Sequence, residues 1–135
     1  MLGKLASYFS KRTIFLFDFS GALITCLSYV AIYFYFKDDL GFSDYIVFVH
    51  LSLAVIYATY SFTMYCVKPK KWDEFLKVIA YANLLFCGVA IKFLISYFDN
   101  ITTVGKVYLI GEITIVSLVA LFELYFIEYK SRNKV

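Results

Sequence analysis

The sequence has few of the residues that break helices or build chemical sites: one proline, three cysteines and one histidine among 135 residues. A single histidine is too few for a bis-histidine haem site. None of the cysteines forms a C-x-x-C pair, so neither a disulfide framework nor a zinc site is indicated. Charged residues are also scarce, and the net charge of +3 is too small to indicate a polyanionic partner. We therefore expect no metal, no cofactor and no nucleic-acid binding.

Apolar residues, by contrast, make up 62% of the chain, and the mean hydropathy is +0.77. A soluble domain averages roughly 45–50% apolar residues. A chain of this length has too little interior to bury such an excess, because small domains keep much of their surface in contact with solvent. The composition therefore indicates an integral membrane protein whose main partner is the lipid bilayer.

Four apolar runs cover residues 14–36, 45–67, 75–98 and 107–127. Each has roughly 21–24 residues, enough to cross a hydrocarbon core of about 30 Å as a helix. Backbone groups in lipid must be satisfied within the segment, which favours helices over other structures. The connections are short, so consecutive helices are expected to be antiparallel neighbours. The sequence predicts an all-α membrane protein, with residues 1–135 forming one antiparallel up-down-up-down bundle of four transmembrane helices.

Lysine and arginine are distributed unevenly between the two sides of this bundle. One side has only Lys37 and Lys106. The other side has ten, in the two tails and around the middle connection: Lys4, Lys11, Arg12, Lys68, Lys70, Lys71, Lys77, Lys130, Arg132 and Lys134. Since cytoplasmic loops carry the excess of positive charge, we expect both termini to be cytoplasmic in a bacterial inner (plasma) membrane.

Each predicted helix has one stripe of small or hydrogen-bonding residues, which is typical of helix–helix contacts in membranes. Six polar residues on these stripes are candidates for a polar seam along the bundle axis: Asp18, His50, Tyr57, Asn83, Glu112 and Glu123. Counting turns puts Asp18, Asn83 and Glu123 in an inner layer. His50 and Glu112 fall in an outer layer, close enough to pair, and Tyr57 falls near the middle. The two glutamates share one helix face, roughly 16 Å apart.

Two interpretations of the seam stay open. An Asp at the centre of a span costs ~2.5–3.5 kcal/mol on insertion scales, so the three carboxyls need a compensating role. In the structural interpretation, which we favour, they hydrogen-bond across helices and fix the register. In the alternative, Asp18 with Glu123 and Glu112 with His50 form two sites for proton- or cation-coupled transport.

No nucleophile–base pair, metal cluster or phosphate-binding loop is visible, so we expect no enzyme. The sequence predicts a small integral membrane protein of unknown biochemical activity with a structural or accessory role. Its partners, besides lipid, would be a second copy of the chain, another membrane protein, or a proton or small cation.

The segment Trp72-Asp-Glu-Phe-Leu-Lys-Val-Ile-Ala-Tyr-Ala-Asn-Leu-Leu-Phe-Cys87 resembles a family of small, uncharacterised bacterial four-span membrane proteins. Phe86 stands where the family often has Tyr. Asp18 followed by Gly21-Ala22 agrees as well, and so does Thr102–Ile113 leading to Phe122-Glu-Leu124. The resemblance covers most of the chain. It implies a four-span fold and carries no activity or substrate.

Overall fold

The computed structural model describes residues 1–133, so Lys134, counted above among the cations of the C-terminal tail, lies outside the described residues. Within that range the structure is all α, without a strand. The elements are α1 (Leu2–Tyr8), α2 (Thr13–Ala31), a π-helical turn (Ile32–Phe36), α3 (Lys37–Leu40), α4 (Asp44–Val67), α5 (Trp72–Ser96) and α6 (Thr103–Arg132). The predicted all-α, four-helix fold is confirmed.

Among residues 1–133, four helical stretches are long and apolar enough to cross a membrane: Thr13–Leu40, Asp44–Val67, Trp72–Ser96 and Thr103–Arg132. The most apolar part of each has a mean hydropathy between 1.6 and 2.1. Large apolar side chains such as Ile24, Leu85 and Leu118 are more than half exposed on the outer surface. Such extensive exposed apolar surface suits acyl chains rather than water. The chain is therefore a multi-pass membrane protein.

The last two helices differ from the apolar runs that predicted them. The fourth run covers 107–127 and the helix covers Thr103–Arg132, while the third run covers 75–98 and the helix covers Trp72–Ser96. Thr102 caps α6 because its Oγ1 accepts a hydrogen bond from the backbone N–H of Gly105 at 3.1 Å. Hydropathy marks where a helix can lie in lipid, whereas caps and turns decide where the helix itself begins and ends.

The first span also extends beyond its predicted end at residue 36, into a segment expected to be a loop. A π-helical turn, Ile32–Phe36, is followed directly by α3. Gly41 then ends α3 in the left-handed region, with φ of 70°, and its N–H donates to the carbonyl of Asp38 at 3.2 Å. A side chain at this position would collide with the Asn100 carbonyl, so the turn requires glycine on two grounds.

The four spans pack as two antiparallel pairs. Helix α2 lies along α4 and α5 lies along α6, and the two pairs meet through α4 and α5. Helices α2 and α6 hardly touch each other. Buried alanines at the contacts, including Ala54, Ala80 and Ala120, let the helix backbones approach closely. The bundle is therefore tight within each pair, less tight between α4 and α5, and loosest between its first and fourth spans.

Each end of the bundle has its own apolar cluster. At the end that carries α1, here called the inner end, Ala6 of α1 is fully buried against a cluster containing Phe15, Leu76 and Phe126. At the opposite, outer end the core is built from nine buried residues: Tyr29, Ile32, Leu40, Phe42, Ile46, Val47, Phe93, Ile101 and Leu109. The polar side chains described below lie between or beside these two clusters.

Hydrogen bonds join the first and fourth spans at the outer end, and we call this contact between residues 39–40 and Thr102 the clasp. The N–H of Thr102 donates to the Leu40 carbonyl at 3.1 Å, and its hydroxyl donates to the Asp39 carbonyl at 2.7 Å. Gly105 is buried directly beneath Leu40, where a Cβ atom would collide with the Leu40 carbonyl. The separation of α2 from α6 is thus confined to the region below this clasp.

Candidate functional site

Four polar side chains, one from each span, meet toward the inner end of the bundle. We call Asp18, Ser61, Asn83 and Glu123 the inner cluster. The Ser61 hydroxyl donates to Oδ2 of Asp18. Nδ2 of Asn83 donates both to Oδ1 of Asp18, at 3.1 Å, and to Oε2 of Glu123, at 3.2 Å. All four side chains are buried, Glu123 and Ser61 completely.

The two carboxyl groups of the inner cluster cannot both be ionised at low cost. They accept from the same nitrogen and are therefore close together, and like charges repel strongly where the surroundings are apolar. Asp18 receives two donors, whereas Glu123 receives one and its Oε1 has no hydrogen-bond partner. Hydrogen bonds favour the charged form of an acceptor. We therefore expect the two carboxyls to share one proton, and Asp18 has more of the donors that stabilise a carboxylate.

No cationic side chain among residues 1–133 forms an ion pair with either of these carboxyls. The three ion pairs of that range lie at helix ends: Lys37–Asp44, Lys71–Glu74 and Arg132–Glu128. The same range contains no group of three or more His, Cys, Asp or Glu side chains placed to hold a metal ion. Within residues 1–133 the carboxyls of the cluster therefore have the hydroxyl of Ser61 and the amide of Asn83 as partners, and no cation.

A cavity of about 320 Å³ lies beside the inner cluster, in the gap between α2 and α6. Asp18 and Asn83 line it at one end, and Tyr57 of α4 lines it at the back. On the outside its rim includes Gly21, where an added Cβ would meet nothing within 4 Å, and Ile115, which is 64% exposed. The cavity therefore opens sideways, toward the acyl chains of a surrounding bilayer.

The second polar group lies at the outer end and is centred on Tyr29. We call Tyr29, His50 and Glu112 the outer cluster. The Tyr29 hydroxyl donates to Oε2 of Glu112 at 2.7 Å, and its ring stacks on the imidazole of His50 with centroids 4.9 Å apart. Nδ1 of His50 lies 2.9 Å from the carbonyl of Ile46, and the buried Nε2 has no hydrogen-bond partner. Tyr29 thus lies between His50 and Glu112, although the sequence predicts a direct pair between these two residues.

The cavity occupies the space between the two clusters. Thr25 and Val116 line its outer part, each one helical turn from a member of the outer cluster, Tyr29 and Glu112 respectively. One turn is about 5.4 Å along a helix. The Tyr57 hydroxyl donates to the backbone carbonyl of Ala82 at 2.8 Å and joins neither cluster. Of the six candidate residues, the structure brings three into the inner cluster and two into the outer one, with Tyr57 on the cavity between them.

Ser61 and Tyr29 complete the clusters but were not chosen as candidates from the sequence. Both lie on the predicted polar stripes: Ser61 is eleven residues from His50, and Tyr29 is eleven from Asp18. Eleven residues are close to three whole turns of an α-helix, so each pair shares a face. That periodicity was the signal that could have identified them.

No protein-family model, curated protein or solved structure matches the chain. The resemblance of the Trp72–Cys87 segment to small four-span bacterial proteins therefore stays a prediction, and the function has to be argued from the geometry of the two clusters and the cavity.

Proposed function

We propose that the protein exchanges protons for a monovalent cation across the membrane, with the inner cluster as the exchange site. The observation that supports this is the shared donor: Asp18 and Glu123 both accept from Nδ2 of Asn83. They belong to α2 and α6, the two helices between which the cavity opens. Protonation at the cluster is thereby linked to α2 and α6, which are joined at the clasp and by the Tyr29–Glu112 hydrogen bond but leave a cavity between them.

Charge balance makes the two ligands of this site mutually exclusive. With one proton shared between its two carboxyls the cluster has a single negative charge, which is costly in a membrane interior. Either a second proton or a monovalent cation neutralises it. Both together would leave a net positive charge, which is costly for the same reason. A site with these properties exchanges one proton for one cation, and Tyr29 with Glu112 and His50 provides proton-carrying groups at the far end of the cavity.

Proteoliposomes loaded with a pH-sensitive dye test this function. Na⁺, K⁺ and small organic ammonium ions are added outside one at a time. A cation that enters in exchange for a proton makes the lumen more alkaline, and we expect this for at least one of them. Asp18→Asn should abolish the change. Glu74→Gln, which alters an exposed carboxylate at a helix end, should leave it intact. If no cation produces a protein-dependent change, the proposal is wrong.

A structural or accessory role is the second candidate, and one observation favours it. The inner cluster takes one side chain from each of the four spans, as expected of hydrogen bonds that fix helix register. Under this interpretation Asp18→Asn lowers stability and alters no ion movement. An accessory role also requires a partner, so purification in mild detergent that repeatedly yields the chain alone counts against it.

The proposed orientation puts the inner end in the cytoplasm of a bacterial cell. It is supported by the cations of the tails and of the connection that contains Lys70. Single cysteines in a variant lacking the three native ones provide the test. A membrane-impermeant maleimide added to spheroplasts should label Asn100→Cys, at the outer end, and spare Lys70→Cys until the membrane is permeabilised. The opposite pattern would reverse the orientation.

A further inference from the structure

We infer that the cavity between α2 and α6 binds a small apolar organic cation, such as a substituted ammonium, that enters sideways from the acyl-chain region. The inference rests on the proposed function, since it assigns the chemical class of the cation that exchanges with the proton. Four features of the described residues support it: the direction in which the cavity opens, its lining, its size and its charge.

The opening faces the hydrocarbon region rather than either end of the bundle. Its rim is formed by residues in the interior of α2 and α6, among them Gly21, Ile24 and Ile115. Ile24 and Ile115 are each 64% exposed on the outer surface. The clasp at Leu40 and Thr102 closes the outer end of the same gap. A solute dissolved among acyl chains thus reaches the cavity directly.

The lining is apolar and aromatic except at one end. Phe17, Tyr57 and Phe86 contribute rings, and aromatic faces attract ammonium groups. The polar groups Asp18 and Asn83 converge at the inner end. An inorganic cation would leave most of these apolar walls without a partner. A ligand with an apolar body and one cationic head matches both parts of the lining, as in most small-molecule sites.

The size and the charge agree with such a ligand. Small-molecule pockets range over about 300–1,000 Å³, and about 320 Å³ lies at the lower end of that range. The carboxyl of Asp18 accepts from Ser61 and Asn83 but has no ion-pair partner among residues 1–133, so it can attract a cationic head electrostatically. The unpartnered Oε1 of Glu123 shows that the polar network remains incomplete beside this end of the cavity.

The test measures binding by isothermal titration calorimetry in dodecyl maltoside micelles, whose headgroup has no charge. The probe is benzyltrimethylammonium, and its uncharged counterpart of the same shape is neopentylbenzene. Asp18→Asn should weaken binding of the ammonium at least tenfold and leave that of the neutral compound unchanged. Gly21→Leu, which places a side chain at the rim, should weaken both at least tenfold. Gly88→Leu is the matched control, because Gly88 is an exposed helical glycine that also has nothing within 4 Å of an added Cβ.

Equal binding of the ammonium to wild type and Gly21→Leu would overturn the inference, even if Asp18→Asn fails to fold. Displacement of the probe by phosphatidylethanolamine would show that the site binds a lipid headgroup. It would refute the inference that a free organic cation binds there. If the ammonium does not bind, yet Na⁺ or K⁺ gives an Asp18-dependent pH change in proteoliposomes, the exchange function stands and this inference fails. If the ammonium binds but no cation changes the lumenal pH of the proteoliposomes, the exchange function is wrong. The inference that the bound cation is transported is then wrong as well.

Discussion

Replacement of Asn83 by leucine removes the one amide that links two carboxyls. Leucine has the same branching and the same number of side-chain heavy atoms, although it is larger, so the substitution keeps the site beside Asp18 and Glu123 filled and deletes both hydrogen bonds. Interhelical hydrogen bonds in membranes average about 0.6 kcal/mol and reach about 1.7 kcal/mol. Two of them give about 1–3 kcal/mol. We expect the upper part of that range, because Glu123 would lose its only hydrogen bond while its Oε1 is already unpartnered.

The measurement is reversible unfolding in mixed micelles, followed by the fluorescence of Trp72. This single tryptophan is 5% exposed, and its ring packs edge-on against Phe126, so it reports on the inner end without belonging to the inner cluster. Thr114→Leu is the control, since the Thr114 hydroxyl is exposed and donates to the Ile110 carbonyl of its own helix. If Asn83→Leu unfolds as Thr114→Leu does, the hydrogen bonds contribute nothing to stability and the account of the cluster is wrong.

Two further predictions use the same unfolding assay. Gly105→Ala should destabilise the protein by about 1–3 kcal/mol, because the new Cβ collides with the Leu40 carbonyl. The control Gly88→Ala lies in open surroundings and should be neutral or stabilising by about 0.5–1 kcal/mol. Equal changes in the free energy of unfolding for the two variants would contradict the close contact between Gly105 and Leu40. Tyr29→Phe should cost roughly 1 kcal/mol more than Tyr35→Phe, because the Tyr29 hydroxyl bonds Glu112 whereas Tyr35 is 79% exposed. A smaller cost for Tyr29→Phe would mean that Glu112 finds another donor.

The four spans could be predicted because hydropathy alone decides which segments dissolve in lipid. The ends of the helices could not, because they depend on caps and turns such as those at Gly41 and Thr102, which lie in polar segments. The π-helical turn at Ile32–Phe36 has no local signal in its aromatic sequence. It accompanies contacts that α3 makes with α6, and a sequence does not show such distant contacts.

The candidate residues show the same division. Counting turns from the ends of the apolar runs predicts Asp18, Asn83 and Glu123 in one inner layer, and the structure has them within reach of one another. The sequence does not show which hydroxyl side chains bond to their own helix and which bond to a neighbouring helix. Thr25 donates to a carbonyl of its own helix, whereas Ser61 crosses to a neighbouring one, and residue type does not distinguish the two. The cavity was also beyond prediction, because it arises from the separation of two helices that are far apart in the chain.

The wide turn at Ile32–Phe36 has a consequence for how the first span can move. A π turn adds one residue to a regular helix, and one residue corresponds to a rotation of about 100°. Tightening it into ordinary α geometry would twist the segment bearing Asp18 about its long axis, while Leu40 stayed fastened to Thr102. The carboxylate would thus turn relative to its neighbours with an axial shift of only about 1.5 Å, the rise of one residue, and with the exchange of a few backbone hydrogen bonds.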